Sequence, residues 1–314
     1  MKRVVTGGEL AQHAMRPPEL VRTYLAMVER DVAAFGLLDG AGETRACPAC
    51  GGDGPEAFRR LGFVYRTCAR CASLFVSPAP APSLLDRYQR ESAAERFWRE
   101  ELITATANVR SRHALGPRVH WVAGTAAARC GGSVDVYVLG DRAPALGEAL
   151  GRSPVVRSCA PAPADASAKA RDVVVAFDVL ERRFDLAGAL GRARELVRDG
   201  GLLFVTTLSG TGFDVRLLRE AMPSLVPPIH LQLLSRAGWT TALERARFRL
   251  AEYSTPGELD VQAVREACRE DVRLALPAIL DDLIRHEDPA IGRALQELLQ
   301  QAGLSSHVQL VGVA

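Results

Sequence analysis

The chain has 314 residues, 48% apolar and 24% charged, enough to bury a core around one main domain and something smaller. A formal net charge of +2, carried almost wholly by arginine (only Lys2 and Lys169 are lysines), gives no electrostatic case for a nucleic-acid or membrane partner. No apolar run approaches the ~18 residues of a membrane span. The opening MKRVVTGGEL has no signal-like apolar stretch, and seven cysteines without one point to a reducing compartment, so the expected location is cytoplasmic.

Pro17 to Phe35 has helical apolar spacing with proline in the first turn. Next, CPACGGDGPEAFRRLGFVYRTCARC places Cys47 and Cys50 in one C-x-x-C and Cys68 and Cys71 in another, 17 residues apart. That spacing fits a closed four-cysteine zinc site, with no open position for catalysis. Gly51 suits the tight turn after the first knuckle, and Ala72 is a less comfortable residue after the second. Cys130, Cys159 and Cys268 stand alone and are expected to be small buried apolar residues.

SPAPAP, Ser77 to Pro82, reads as a linker, and a helical segment bearing aromatics follows it. From Val134 strand and helix alternate. Strands are expected at Val134 to Leu139, Val155 to Cys159, Asp172 to Leu180 and over LLFVTTL. Helices are expected at Pro144 to Leu150 and over FDLAGALGRARELV, the latter ended by Asp199, Gly200 and Gly201. RFRLAEYS and SSHVQLVGVA are strand-like, with two or three helices between Val261 and Gln301. Such alternation predicts a parallel α/β sheet with helices on both faces.

In this order, CPACG, FVSPAPAPSLLDRY, DVVVAFDVLER, DGGLLFVTTLSGTGFDVRLL, PPIHLQLLS, STPGELDV and LSSHVQLVGVA resemble class I S-adenosylmethionine (SAM) dependent methyltransferases, specifically bacterial ones with an N-terminal zinc ribbon. The resemblance implies a Rossmann-like, seven-stranded sheet with the last strand antiparallel. It also implies a division into a helical segment (1–44), the ribbon (45–80), a helical linker (81–125) and the methyltransferase-like domain (126–314), with a helical insert at about 261–302.

Against that family this chain reads as a degenerate member. The turn after the first strand, VLGDRAP, keeps one glycine, Gly140, where the family has several that let SAM approach the backbone. Asp141 is a substitute carboxylate, but Arg142 beside it repels a sulfonium. The second strand ends in Cys159 and Ala160, not in an acid for the ribose. Pro161 to Arg171 is eleven residues, too few for a third strand and two crossovers of about a dozen residues each. Ordinary SAM binding is therefore not expected, and Gly140, Asp141 and Asp178 are what remains of a cofactor set. Polar residues persist in the C-terminal half: His230, Asp260 and His307 as candidate acid–base residues, with Asp214, Ser305 and Ser306 as candidate pocket residues. Each also has a structural reading, as a helix cap, a turn cap or a satisfied core group. Ser235 is expected to cap the helix after PPIHLQLLS.

The leading expectation is a zinc protein of sugar or natural-product metabolism that has lost independent methyl transfer. It acts either as non-catalytic partner of an active methyltransferase-like protein or through a pocket reused for another small-molecule ligand. The alternatives are an active SAM-dependent C- or O-methyltransferase and a zinc-ribbon scaffold.

Overall fold

The computed structural model describes residues 12–39, 42–140, 143–163, 170–270 and 276–314. Asp141 and Arg142 lie outside the described residues, as does most of the Pro161 to Arg171 connection.

Helix α1 (Pro18–Ala34) packs Tyr24, Val28 and Val32 inward. Strands β1 (Glu56–Arg60), β2 (Phe63–Thr67) and β3 (Leu74–Val76) form the antiparallel ribbon around the cysteine knuckles. Helix α2 (Pro82–Glu91) opens on a proline in its first turn, and a helical run at 93–115 leads to α3 (Gly116–Cys130). Then come β4 (Val134–Val138), α4 (Ala143–Gly151), β5 (Val156–Pro161), β6 (Arg171–Phe177), α5 (Leu186–Leu196) and β7 (Val197–Leu208). Helix α6 (Phe213–Leu218), β8 (Gln232–Leu233), α7 (Arg236–Arg245) and β9 (Arg249–Ser254) follow. The insert holds α8 (Asp260–Glu270), α9 (Ala278–Arg285) and α10 (Pro289–Ala302), and β10 (His307–Val313) closes the chain.

The main sheet is α/β with strand order β5-β4-β6-β7-β10-β9. Strands β5, β4, β6 and β7 are mutually parallel, and β10 runs antiparallel between β7 and β9. Among the described residues no strand lies outside β5, so the sheet has six strands where the resemblance implies seven. Val173 to Ala176 are fully buried, as a strand covered on both faces requires. One face packs α3 and α4 through Trp121, Val122, Leu146 and Leu150. The other packs α5 and α7 through Leu190, Trp239 and Leu243, together with Cys47, Cys68 and Cys71 of the ribbon.

One boundary and the burial of two cysteines differ from the reading of the sequence. Asp199, Gly200 and Gly201 do not end α5; the helix stops at Leu196 and β7 starts at once. Gly200 takes φ +71°, and Gly200 and Gly201 exchange backbone hydrogen bonds of 2.9 and 3.0 Å with Ala314, so the glycines anchor the chain end to the strand. Cys130 and Cys159 are half-buried, and only Cys268 of the three lone cysteines is fully buried. Among the described residues no helix is long and apolar enough to cross a membrane.

Candidate functional site

The four-cysteine cluster, a candidate metal centre, is built from two tight turns. Gly51 N–H donates to the Cys47 carbonyl and Ala72 N–H to the Cys68 carbonyl, each at 2.8 Å. Both turns need a left-handed residue, and φ is +72° at Gly51 and +58° at Ala72. The sulfur pairs Cys47–Cys71 and Cys50–Cys68 stand 3.6 and 3.4 Å apart, and all four sulfurs lie within 4.8 Å of one another. Bonds of ~2.3 Å in a tetrahedral zinc thiolate put sulfurs about 3.8 Å apart, so the cluster fits the ion. Burial raises the Cys68 thiol, but backbone N–H groups of Cys71 and Arg70 outweigh it and bring it down to about 7.

The ribbon is tied into the main domain. Strand β3 pairs with β8, and the Ser235 hydroxyl caps α7 through Gly238 N–H at 2.9 Å while donating to the Cys71 carbonyl. Ser235 N–H donates to the Ser73 hydroxyl at 3.0 Å, and Arg245 reaches the Ala49 carbonyl at 3.1 Å.

A second polar centre forms at the carboxyl edge of the sheet. Because β10 is antiparallel, its first residue, His307, lies opposite Leu208, the last residue of β7. Asp178 follows β6 at the same edge with φ +55°, a conformation aspartate tolerates better than most residues. Its carboxylate accepts from Arg118 at 2.7 Å and from the Thr206 hydroxyl at 2.9 Å. Arg118 also lies 3.1 Å from His307 Nε2. A guanidinium only donates, so Nε2 is the acceptor. Lost solvation and the Arg118 charge push the His307 ring down to about 4, leaving it neutral at pH 7.

Asp214, Asp260, Ser305 and Ser306 come together as one buried cluster. The Asp260 carboxylate accepts from the Ser305 hydroxyl (2.6 Å), Ser306 N–H (2.6 Å) and Gln296 Nε2 (2.8 Å). Burial, followed by the negative charge of Asp260, pushes the Asp214 carboxyl well above the usual carboxylate range. Gly212, not Asp214, occupies the cap position of α6.

His230 makes local bonds. Its Nδ1 accepts from Val226 N–H at 3.1 Å and its carbonyl accepts from the Tyr65 hydroxyl at 2.6 Å. Lost solvation, then the Arg182 charge, bring its ring to about 4.

Arg118, Gln296 and Glu181 are site residues that no sequence pattern singles out. Burial, then the Asp178 charge, raise the Glu181 carboxyl to about 7. Arg118 sits near the start of α3, and only the crossing of α3 over β6 and β7 brings it to Asp178 and His307.

Gly140 has φ +94°, and Val179 Cγ2 lies 2.6 Å from where a β-carbon on it would stand. The glycine is thus required both by its backbone angle and by the close approach of Val179. The second parallel strand ends in Cys159, Ala160 and Pro161, without an acid.

Residues 123–253 match the family described as a methyltransferase domain. No curated protein sequence matches the chain significantly. Among solved structures it is similar to the Burkholderia thailandensis 1,6-didemethyltoxoflavin-N1-methyltransferase with bound 1,6-didemethyltoxoflavin and S-adenosylhomocysteine. That match has 8% identity, covers 82% of this chain and 98% of the other, and has a TM-score of 0.43. The O-methyltransferase from a trans-AT polyketide multienzyme of Brevibacillus brevis, in complex with S-adenosyl-L-homocysteine, matches at 13% identity over 66% and 73% of the two chains, TM-score 0.37. The cyclase SpnF matches at 14% identity over 62% and 79%, TM-score 0.35. The family match stops before Asp260, Ser305, Ser306 and His307 and excludes the cysteine cluster.

Proposed function

We propose that this methyltransferase-fold zinc protein acts in small-molecule metabolism, of sugars or natural products, without transferring a methyl group from SAM by itself. Its pocket at the carboxyl edge then serves a different ligand. The observation that supports this reading is the six-stranded sheet, in which β5 is the outermost described strand and ends without a carboxylate. An adenosine bound in the family manner leans on that strand end and on the elements beyond it. The single-glycine turn at Gly140, with Val179 packed against it, supports the same reading. Strand β5 ends in Cys159, Ala160 and Pro161 and offers a SAM ribose no carboxylate.

The pocket reading is preferred over a non-catalytic partner. A partner that replaced missing sheet cover would leave apolar surface around Asp172. The large apolar side chains that are exposed among the described residues are Leu38, Ile279, Leu298 and Leu304, none of them on β4, β5 or β6. Asp172 itself is paired with Arg198 at 2.7 Å. His307, His230 and Asp260 are the candidate groups for proton transfer, and none of them lines the chambers where β4 and β6 end. In the folded state Arg118 occupies His307 Nε2, so a ligand must draw Arg118 away before that atom takes a proton.

The family match over residues 123–253 favours a second reading, an active SAM-dependent C- or O-methyltransferase. Isothermal titration of SAM and S-adenosylhomocysteine into zinc-loaded protein separates the two. No heat from folded protein is the expected result. Stoichiometric micromolar binding overturns the first reading and makes the next task a search for the methyl acceptor.

A further inference from the structure

Gln89, Arg90, Gly140, Val179, Arg182 and Arg183 enclose a chamber of about 200 Å³ where β4 and β6 end. A second cleft, of about 470 Å³, shares Val179 and Arg183 with it. Leu139, Leu180, Phe184 and Ala189 give this cleft a largely apolar wall.

Among the described residues the small chamber has three guanidiniums and no carboxylate in its lining. Arg182 is paired with buried Glu95. Arg90 and Arg183 are exposed, and neither side chain makes an ion pair or hydrogen bond among the described residues. Of the carboxylates nearby, Glu95 is paired with Arg182 and Asp178 with Arg118, Glu181 is buried, and Asp86 and Asp185 line the larger cleft. Asp185 there is committed to the cap of α5, accepting from Gly188 N–H at 2.8 Å, and it faces the charge of Arg45, whose guanidinium lies 5.0 Å from the Phe184 ring. Asp86 is exposed at the cleft mouth. The chamber therefore keeps an excess of positive charge, which repels a sulfonium and attracts an anion.

We propose that this chamber binds the anionic head group of a small molecule, a phosphate monoester before a carboxylate, whose apolar body lies in the adjoining cleft. The proposal rests on the reading above that the pocket serves a ligand other than SAM, and it names that ligand's class. Planar guanidinium forks match phosphate oxygens in pairs, and a dianion gains more than a monoanion from several of them. Two uncommitted arginines lose no internal partner when they turn to a ligand.

The test uses the full zinc-loaded chain and calorimetric titration with phenyl phosphate, benzoate, phenol and inorganic phosphate. Phenyl phosphate is expected to bind with 1:1 stoichiometry, more tightly than benzoate or inorganic phosphate, and phenol not at all. In the double variant Arg90→Gln, Arg183→Gln the affinity is expected to fall by about tenfold or more, as loss of two charge-assisted contacts implies. Its circular dichroism and melting temperature should stay unchanged, because both side chains are exposed and unbonded. Absence of phenyl phosphate binding, or binding indifferent to the double substitution, overturns the proposal. Benzoate binding more tightly than phenyl phosphate overturns the choice of phosphate. SAM titrated into the same protein keeps the two readings apart. SAM binding sinks the reading of the cofactor turn, whereas silence from both SAM and phenyl phosphate sinks only the anion site.

Discussion

Asp260 and Asp214 are two buried carboxyl groups with opposite consequences for stability. Asp260 satisfies two turn donors and an amide, so Asp260→Ala strands Ser306 N–H and one of the two Gln296 Nε2 hydrogens in the interior, the other staying on the Gly257 carbonyl. A loss of about 3 kcal/mol in unfolding free energy is expected, measured by urea denaturation. Burial and the Asp260 charge both disfavour the ionised form of Asp214, so Asp214→Asn, which keeps the shape and removes the charge, should cost little at pH 7 in the same assay. A loss as large as that of Asp260→Ala shows that Asp214 is ionised. Glu181 and the histidines tilt the pH profile in opposite directions. The Glu181 carboxyl rises from 4.5 to about 7 on folding, so its contribution is present below pH 4.5 and lost as pH rises toward 7. His230 and His307 fall from 6.5 to about 4, so theirs is present above pH 6.5 and lost as pH falls toward 4. Glu181→Gln removes the first trend alone. The variant should gain stability from pH 5 to pH 7 more steeply than the wild type, by about 2 kcal/mol for a shift of this size. Parallel profiles count against a buried, raised Glu181. That Asp214, Asp260, Ser305 and Ser306 are polar was legible in the sequence. That Asp260 is the hub was not, because its partners Gln296, Ser305 and Ser306 come from α10 and the turn before β10.

The ribbon and α7 share one hydrogen-bond system, so the knuckles and the helix start are expected to fail together. Ser235→Ala removes the cap at Gly238 and the bond to the Cys71 carbonyl, and a loss of about 1–2 kcal/mol is expected from equilibrium denaturation. Ala72→Gly relieves the φ of +58° and should add roughly 1 kcal/mol, with chelator-driven metal release slowed accordingly. Removing the metal should lower the melting temperature of the whole chain in one transition, because β3 pairs with β8 and Cys47, Cys68 and Cys71 share the core of α5 and α7. Two separate transitions show that the ribbon is an independent unit. The cysteine spacing and the capping serine could be read directly, being local patterns. The β3–β8 pairing joins residues far apart in the chain and has no local signature.

Across the whole molecule the sheet grades from a buried centre to a thin edge. Val173 to Ala176 of β6 are fully buried, while β5 is partly exposed along most of its length and has a described neighbour on one side only. Amide hydrogen exchange should be slowest in β6, β7 and β10 and fastest among the strands in β5. Protection of β5 equal to that of β6 means that something else covers it. The sequence by itself determined the α/β alternation and the cysteine cluster. These depend on period and spacing, which are properties of adjacent residues. Only the tertiary structure decided that Arg118 bridges Asp178 and His307, that Asp260 gathers the final turn, and that Arg90, Arg182 and Arg183 line one chamber. Such contacts depend on where distant strands end and in which direction they run. The antiparallel entry of β10, which carries His307 to the carboxyl edge, is set by packing over the whole sheet.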